Sequence, residues 1–288
     1  MIKYNSLARE CAGEVVGTFI LVFFGVGSVH VAVLTGALTG LWQVAIVWGL
    51  GISLAIYALG SVSGAHMNPA MTAAFATYRD FPLKKIPAYV LAQLTGAVAA
   101  AAMLYGLFHG LILRFEQLNS IVRGQSGSEL SAMIYGNYFP NPVIVGVNAG
   151  ALACVSQGQA MLAEGLGTAF LAFFVFAMTH EHEGEKPAKI LFGLMIGLTV
   201  SIIICVVAPL TGAGLNPARD FGPRLFAWAA GWGSVAIPGP RGGFFTVYIL
   251  SPILGSLAGA GVFQLLIRPR AAAAQQPSRA VAREGEAL

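Results

Sequence analysis

Long apolar stretches separated by short polar segments dominate the pattern of this chain. A helix needs about 20 residues to cross the hydrocarbon core of a bilayer, which is about 30 Å thick. Six stretches reach that length, near residues 11–34, 41–60, 86–111, 159–179, 189–209 and 243–267. The pattern therefore predicts an all-α membrane protein with six transmembrane helices in a lipid bilayer.

The sequence also repeats itself in two halves. SGAHMNPA at 63–70 matches TGAGLNPA at 211–218, and the start of the first span, GEVVGTF, matches the start of the fourth, AEGLGTAF. Each half holds three spans, an odd number, so the second half is inserted upside down relative to the first. Inverted repeats of this kind place a shared site at their interface near the bilayer midplane. We assign 1–111 to the first repeat, 112–158 to a long external loop, 159–268 to the second repeat and 269–288 to a disordered cytoplasmic tail.

Each half contains one Asn-Pro-Ala motif, Asn68-Pro69-Ala70 and Asn216-Pro217-Ala218. Asn is a favourable helix N-cap, and Pro is pre-organised for the first helical position. The helices that follow, near 68–78 and 216–228, are too short to span the bilayer and are predicted to be re-entrant half-helices. The irregular backbone before each is tolerable at that depth only where it lines a wet cavity. We therefore predict pore-lining backbone at Gly64, Ala65, His66, Met67, Gly212, Gly214 and Leu215.

Composition and charge agree with a membrane protein and indicate its orientation. Hydrophobic residues make up 57% of the chain and charged residues 10%, and the mean hydropathy is +0.75. If both termini are cytoplasmic, eleven of the 16 lysines and arginines lie inside, as the positive-inside rule favours. The net charge of +4 then reflects topology, and no nucleic-acid partner is expected.

The reactive residues do not indicate an enzyme, a cofactor or a metal site. Cys11, Cys154 and Cys205 have no metal or redox spacing and are interpreted as small buried hydrophobes. The run from His180 to Glu185 offers a metal site as an alternative, but a solvated loop is favoured. The sequence contains no nucleophile–base set or phosphate-binding loop.

Together the motifs resemble the major intrinsic protein family, the aquaporins and glycerol facilitators, from Glu14 to about Arg268. FEQLNSIVRG at 115–124 and FPNP at 139–142 are similar to bacterial glycerol facilitators. The resemblance implies a pore in each protomer, a homotetramer and a location in the plasma (inner) membrane. The markers that favour the glycerol-conducting branch are Phe108, Asp220, Arg224, Pro252 and Ile253.

The resemblance also implies a selectivity filter formed by Trp48, Ile204, Ala213 and Arg219. A charge within the membrane costs roughly 2.5–3.5 kcal/mol on insertion scales, which favours a functional role for Arg219 over a snorkelling one. A typical bacterial glycerol facilitator has Gly and Phe in place of Ile204 and Ala213, and the present set resembles that of plant nodulin-26-like channels. The predicted filter is apolar and wide enough for a polyol.

Several other polar residues lie near the motifs. By resemblance, Glu14 and Glu164 are buried structural acids that accept N–H groups of the loops before the half-helices; a proton relay is the alternative. His66 is interpreted as a packing residue rather than a gate. Asp220 and Arg224 are expected to form an i,i+4 pair on the second half-helix.

The predicted function is a passive channel for glycerol and other small neutral solutes, with some water permeation and exclusion of ions and protons. The unusual filter leaves a preference for water, urea, undissociated lactic acid or metalloid hydroxides as alternatives. A secondary transporter is a more distant one. Inverted repeats occur in such carriers too, but they need an ion or proton site, and the spans hold almost no ionisable residues beyond Glu14 and Glu164.

Overall fold

The computed structural model describes residues 6–180 and 191–268, and all regular secondary structure within them is helical. Six of the helices are long and apolar enough to cross a membrane, which confirms the predicted number of spans. In chain order the helices are α1 (Leu7–Thr35), α2 (Leu41–Ser63), α3 (Pro69–Tyr78), α4 (Ile86–Leu118), α5 (Glu129–Ala132), α6 (Ala149–Ala153), α7 (Gln157–Met178), α8 (Phe192–Thr211), α9 (Pro217–Ala227) and α10 (Thr246–Ile267).

The two half-helices α3 and α9 begin at the prolines of the repeated motif. Asn68 Oδ1 accepts the N–H of Ala70 at 2.9 Å, and Asn216 Oδ1 accepts the N–H of Ala218 at 3.0 Å. Each asparagine is therefore an N-cap, as the sequence predicts. With 10 and 11 residues, α3 and α9 are too short to cross a bilayer.

Helix packing follows the two-fold relation between the halves. In the first half α1 packs on α2 and α4; in the second, α7 packs on α8 and α10. Each half-helix crosses over, so that α3 packs on α10 and α9 packs on α4. The halves also meet where α2 crosses α8. The two backbones are so close there that a Cβ added to Gly197 would lie only 2.1 Å from the carbonyl oxygen of Gly49. Small residues at this crossing let the two backbones approach closely.

The structure corrects the predicted start of the long connecting loop. α4 continues to Leu118, so residues 112–118 are helical rather than part of a loop. Glu116 in this extension accepts two hydrogen bonds from Arg123, at 3.1 and 2.8 Å, and so stabilises polar turns that hydropathy alone does not mark as helix. The rest of the loop contains the short helices α5 and α6.

The interpretation of the cysteines as buried residues is wrong. Cys154 is exposed, and Cys11 and Cys205 are partly exposed. Cys154 is the C-cap of the five-residue helix α6 on the protein surface, and the other two lie on sides of α1 and α8 that neighbouring helices do not fully cover. The acidic run after His180 and the tail 271–288 lie outside the described residues.

Candidate functional site

Two cavities open at opposite ends of α2 and meet at a junction. The first, of about 760 Å³, is lined by His66, Asn68 and Asn216 among others; we call it the His66 cavity. The second, of about 510 Å³, is lined by Asn137 among others; we call it the Asn137 cavity. Both linings include the same four residues, Trp48, Ile204, Ala213 and Arg219. The structure therefore brings the four predicted filter positions together at the junction.

The chain approaches each half-helix through an irregular turn of the same shape. Three residues of the first turn have φ of +86°, +49° and +49°, and their counterparts in the second have +80°, +56° and +57°. The left-handed region costs a residue other than glycine about 1–2 kcal/mol, so surrounding contacts must hold these turns in place. The residues concerned are Gly64, Ala65 and Met67, and Gly212, Ala213 and Leu215.

These turns lie where the sequence predicts pore-lining backbone. Gly64, Ala65, His66 and Met67 border the His66 cavity, as do Gly214 and Leu215 of the second turn. Gly212 borders the Asn137 cavity instead. The backbone of both turns is thus placed beside the path that joins the two cavities.

A buried carboxylate holds the first turn. Glu14 Oε1 accepts the hydroxyl of Ser63 at 2.7 Å and the N–H of His66 at 2.9 Å. Its Oε2 accepts the N–H of Met67 at 2.7 Å and Nε2 of Gln93 at 2.8 Å. All four partners are donors, so the ionised carboxylate satisfies every one of them.

Glu164 does the same for the second turn. Its Oε1 accepts the hydroxyl of Thr211 at 2.6 Å and the N–H of Gly214 at 2.8 Å, and its Oε2 accepts the N–H of Leu215 at 2.7 Å. Both glutamates are fully buried. The contacts that the resemblance implies for the two acids are therefore present.

The two motif asparagines cross-link the halves. Asn68 Nδ2 donates to the carbonyl oxygen of Leu215 at 3.0 Å, and Asn216 Nδ2 donates to that of Met67 at 2.7 Å. Each amide keeps one N–H beside the His66 cavity, because an NH₂ group has two donors. The N-termini of α3 and α9 meet here, each equivalent to about half a positive charge.

The first turns of the half-helices lie behind these asparagines. Pro69, Ala70, Pro217 and Ala218 do not line either cavity as the structure describes them. These prolines and alanines set the residue at which α3 and α9 begin. As a result, the side chains of the two asparagines face the path.

Arg219 is the only one of the four junction residues that carries a charge. It is 6% exposed, and its guanidinium carbon lies 4.4 Å from the centroid of the Trp48 ring. Nη1 has no hydrogen-bond partner among the described residues. A cation in the first turn of a helix also opposes the helix dipole. The location is therefore unfavourable for stability alone, and it leaves N–H donors free for a solute.

His66 is packed as well as cavity-lining. Its ring centroid lies 4.6, 4.8 and 5.2 Å from those of Phe75, Phe81 and Tyr89. Its Nδ1 lies 3.1 Å from the hydroxyl oxygen of Thr72. The aromatic cage fixes the ring, in agreement with a packing role.

The predicted ion pair on α9 is present, and its two residues also form hydrogen bonds with the backbone of other segments. Arg224 Nε donates to Asp220 Oδ2 at 2.6 Å, in an ion pair that is almost fully buried. Arg224 also donates to the carbonyl oxygens of Ala236 and Asn137, and Asp220 Oδ1 accepts the N–H of Asn137 at 2.7 Å. Sequence reasoning missed Asn137, which this pair fixes beside the second cavity.

The other branch markers do not lie at the junction. The Phe108 ring packs 5.1 Å from that of His30. Pro252 is buried in α10, and the carbonyl oxygen of Ile253 accepts the hydroxyl of Ser256 at 2.8 Å. Neither cavity lining includes any of the three.

Comparison with known proteins places this arrangement in a family. The family model described as Major intrinsic protein matches residues 1–263. The glycerol uptake facilitator protein of Pseudomonas aeruginosa is 41% identical over 276 residues, which are 96% of this chain and 94% of the relative. That of Escherichia coli is 41% identical over 268 residues, covering 93% and 91%. The propanediol uptake facilitator of Citrobacter freundii is 40% identical over 264 residues, covering 91% and 93%.

A solved structure shows the same fold. The X-ray structure of the aquaglyceroporin from Plasmodium falciparum matches with a TM-score of 0.77 and 27% identity, covering 92% of this chain and 98% of that one. The fold with six spans and two half-helices, the paired motifs and the match of the family model over residues 1–263 agree. The chain belongs to the major intrinsic protein family.

Proposed function

We propose that the chain is a passive channel for glycerol and other small neutral solutes, with some water permeation. The observation that carries the proposal is the junction of the two cavities at Trp48, Ile204, Ala213 and Arg219. Three of these side chains are apolar and one donates hydrogen bonds. A polyol matches this arrangement, because its hydroxyl groups can accept from Arg219 while its carbon atoms contact the apolar side chains. The uptake facilitators among the relatives support the same reading.

Charge at the junction explains the expected exclusion of ions and protons. Arg219 and the two half-helix N-termini make this part of the path positive, which repels cations. The free N–H groups of Asn68 and Asn216 both donate to whatever oxygen passes between them. A water held by two donors is oriented so that proton hopping along the file is interrupted.

The buried acids argue against an energy-coupled carrier. Such a carrier needs an ion or proton site, but the oxygens of Glu14 and Glu164 each accept structural hydrogen bonds from the turns or their neighbours. A water-selective channel is disfavoured by the apolar side chains of the junction and by the glycerol-branch markers Asp220, Arg224 and Pro252. Urea and undissociated lactic acid are included in the test because Ala213, which has only a methyl group, leaves room for them at the junction.

Orientation and assembly complete the proposal. Basic residues near the α3–α4 connection and at both ends of the chain favour cytoplasmic termini, so that the Asn137 cavity opens to the outside. We place the protein in the plasma membrane as a homotetramer with one pore per protomer. Contact with lipid or a neighbouring protomer is expected at the large apolar side chains that the spans expose, such as Leu107, Leu162 and Leu266.

Stopped-flow light scattering on proteoliposomes tests the proposal with water, glycerol, urea and lactic acid at low pH, against empty vesicles. We expect fast, non-saturating glycerol entry with a low activation energy. Ala213→Trp should block this entry by filling the junction, whereas Val206→Trp on the exposed side of α8 should not. Water flux without glycerol flux would make the protein a water channel. Saturable uptake above equilibrium would make it a carrier.

A further inference from the structure

Two asparagines of the segment after α5 border the Asn137 cavity, but only the side chain of Asn141 makes hydrogen bonds with the described residues. Asn137 is 5% exposed and Asn141 is 6% exposed. Asn141 Nδ2 donates to the carbonyl oxygen of Ala208 at 3.1 Å, and its Oδ1 accepts the N–H groups of Val143 and Ile144 at 3.2 and 3.3 Å. Its side chain therefore belongs to the scaffold of the cavity wall.

The side chain of Asn137 has no such role. Its Nδ2 is buried and has no hydrogen-bond partner among the described residues. Buried amide groups are almost always paired in native proteins, so an unpaired one needs an explanation such as a bound molecule. The contrast with Asn141, in the same wall, is a second reason to look for a ligand.

Asn137 is also held firmly in place. Its N–H donates to Asp220 at 2.7 Å and its carbonyl oxygen accepts from Arg224, so the backbone is fixed on both sides. The carboxamide lies against the second turn, because a Cβ on Gly212 would be 2.6 Å from Asn137 Oδ1. Gly212 precedes the filter residue Ala213. The carboxamide is thus fixed next to the junction on the side of the Asn137 cavity.

We propose that the Asn137 carboxamide is a further solute-binding group that selects for polyols as they approach the junction. This inference rests on the proposed function and names a specificity-determining residue for it. Rotating the carboxamide by half a turn breaks no hydrogen bond with the described residues, so it can present either its oxygen or its NH₂ group. A hydroxyl group can pair with both, because it is a donor and an acceptor.

Arg219 completes the selection. Its Nη1 is the other buried donor in the wall of the same cavity that has no hydrogen-bond partner among the described residues. A solute with hydroxyl groups on adjacent carbons can engage Asn137 and Arg219 together, and it is then oriented before it meets the apolar side chains of the junction. A water molecule is not held in this way, because the next water molecule in the file can replace it at Asn137 or at Arg219. Asn137 therefore favours vicinal polyols over water.

The test measures glycerol, 1,3-propanediol and water permeability in proteoliposomes of Asn137→Leu, which keeps the size of the side chain and removes its polar atoms. We expect the glycerol-to-water permeability ratio to fall about fivefold, equivalent to about 1 kcal/mol. 1,3-Propanediol, whose hydroxyl groups are not adjacent, should lose less. Asn137→Ser, which restores a small polar group, should recover part of the ratio.

Asn141→Leu is the matched control in the same cavity wall. It should lower the yield of assembled protein but leave the glycerol-to-water ratio of the remaining channels unchanged. An unchanged ratio in Asn137→Leu, or an equal fall in both leucine variants, overturns the inference. If Asn137→Leu does not assemble, Asn137→Ala takes its place with the same expected fall. Absence of glycerol flux through the unsubstituted channel would instead refute the proposed function itself.

Discussion

The two half-helices start alike but are braced by different chemistry. Thr72 stands four residues after Asn68, and Asp220 stands four residues after Asn216. In the first half the brace is neutral: the Thr72 hydroxyl donates to the carbonyl oxygen of Asn68 at 3.0 Å and lies 3.1 Å from Nε2 of Gln93. In the second half it is ionic, because Asp220 pairs with Arg224 instead.

Other contacts of the half-helices are the same in the two halves. Tyr89 donates to the carbonyl oxygen of Ser63 at 2.8 Å, and Tyr248 repeats this contact with Thr211 at 2.9 Å. Four residues after each tyrosine the halves diverge, because Pro252 replaces Gln93 and cannot donate a hydrogen bond from its side chain. The halves therefore share the contacts that shape the backbone turns. They differ in the second half, where Asp220 and Arg224 also hold the segment between α5 and α6 that contains Asn137.

Breaking each brace should show how unequal the two are. Asp220→Ala leaves the Arg224 guanidinium buried without its partner, and loss of one member of a buried ion pair costs about 3–5 kcal/mol. Thr72→Ala removes a neutral hydrogen bond and should cost about 1–3 kcal/mol. Unfolding in a denaturing detergent, followed by circular dichroism, measures both. An equal loss of unfolding free energy in the two variants would show that the ion pair stabilises the protein no more than the neutral hydrogen bond does.

Substitution of Glu14 and Glu164 tests the hydrogen bonds to the backbone turns, which the two halves share. Glu14→Gln and Glu164→Gln each place an NH₂ group opposite a donor, which should cost about 1–3 kcal/mol. The cost should be at least as large for Glu14, which accepts four hydrogen bonds against three for Glu164. The same unfolding assay applies. A clearly larger loss at Glu164 would contradict this ranking.

Arg219 and Met71 occupy equivalent positions, three residues after the motif asparagines. Arg219→Val should raise the proton or cation leak about tenfold, because it removes one positive group worth about 1.4 kcal/mol of barrier. Met71→Val, in the wall of the His66 cavity, should leave the leak unchanged. A pH-sensitive dye inside vesicles reports proton entry. Tight exclusion in correctly assembled Arg219→Val would remove Arg219 from that role.

Ala213 and Ala65 form the last equivalent pair, three residues before each asparagine. Ala213→Phe adds a ring at the junction and should shift permeability toward glycerol and away from bulkier solutes by about threefold, a difference below 1 kcal/mol. Ala65 lines only the larger His66 cavity, so Ala65→Phe should change the ratio less. Stopped-flow light scattering with glycerol and a larger polyol measures this permeability ratio. Unchanged ratios in Ala213→Phe would mean that this position does not select solutes.

Local signals explain which features the sequence predicts. The half-helices follow from Asn and Pro at fixed helical positions, and the spans follow from uninterrupted apolar runs. The end of α4 does not, because its polar last turns depend on the contact between Glu116 and Arg123. Asn137 was not predicted either. Its backbone partners lie 83 and 87 residues away, and no pattern around it in the chain marks a binding residue.

The crossed hydrogen bonds of Asn68 and Asn216 bear on how the protein is made. Each asparagine donates to a carbonyl oxygen of the opposite turn, and Arg219 comes from the second half alone. When only the first three spans have been inserted into the membrane, neither the second turn nor Arg219 is yet present. The linings of the two cavities include residues of α7, α8 and α9, so the path is complete only after these helices have been made. No selective path therefore exists while only the first half of the chain is in the membrane.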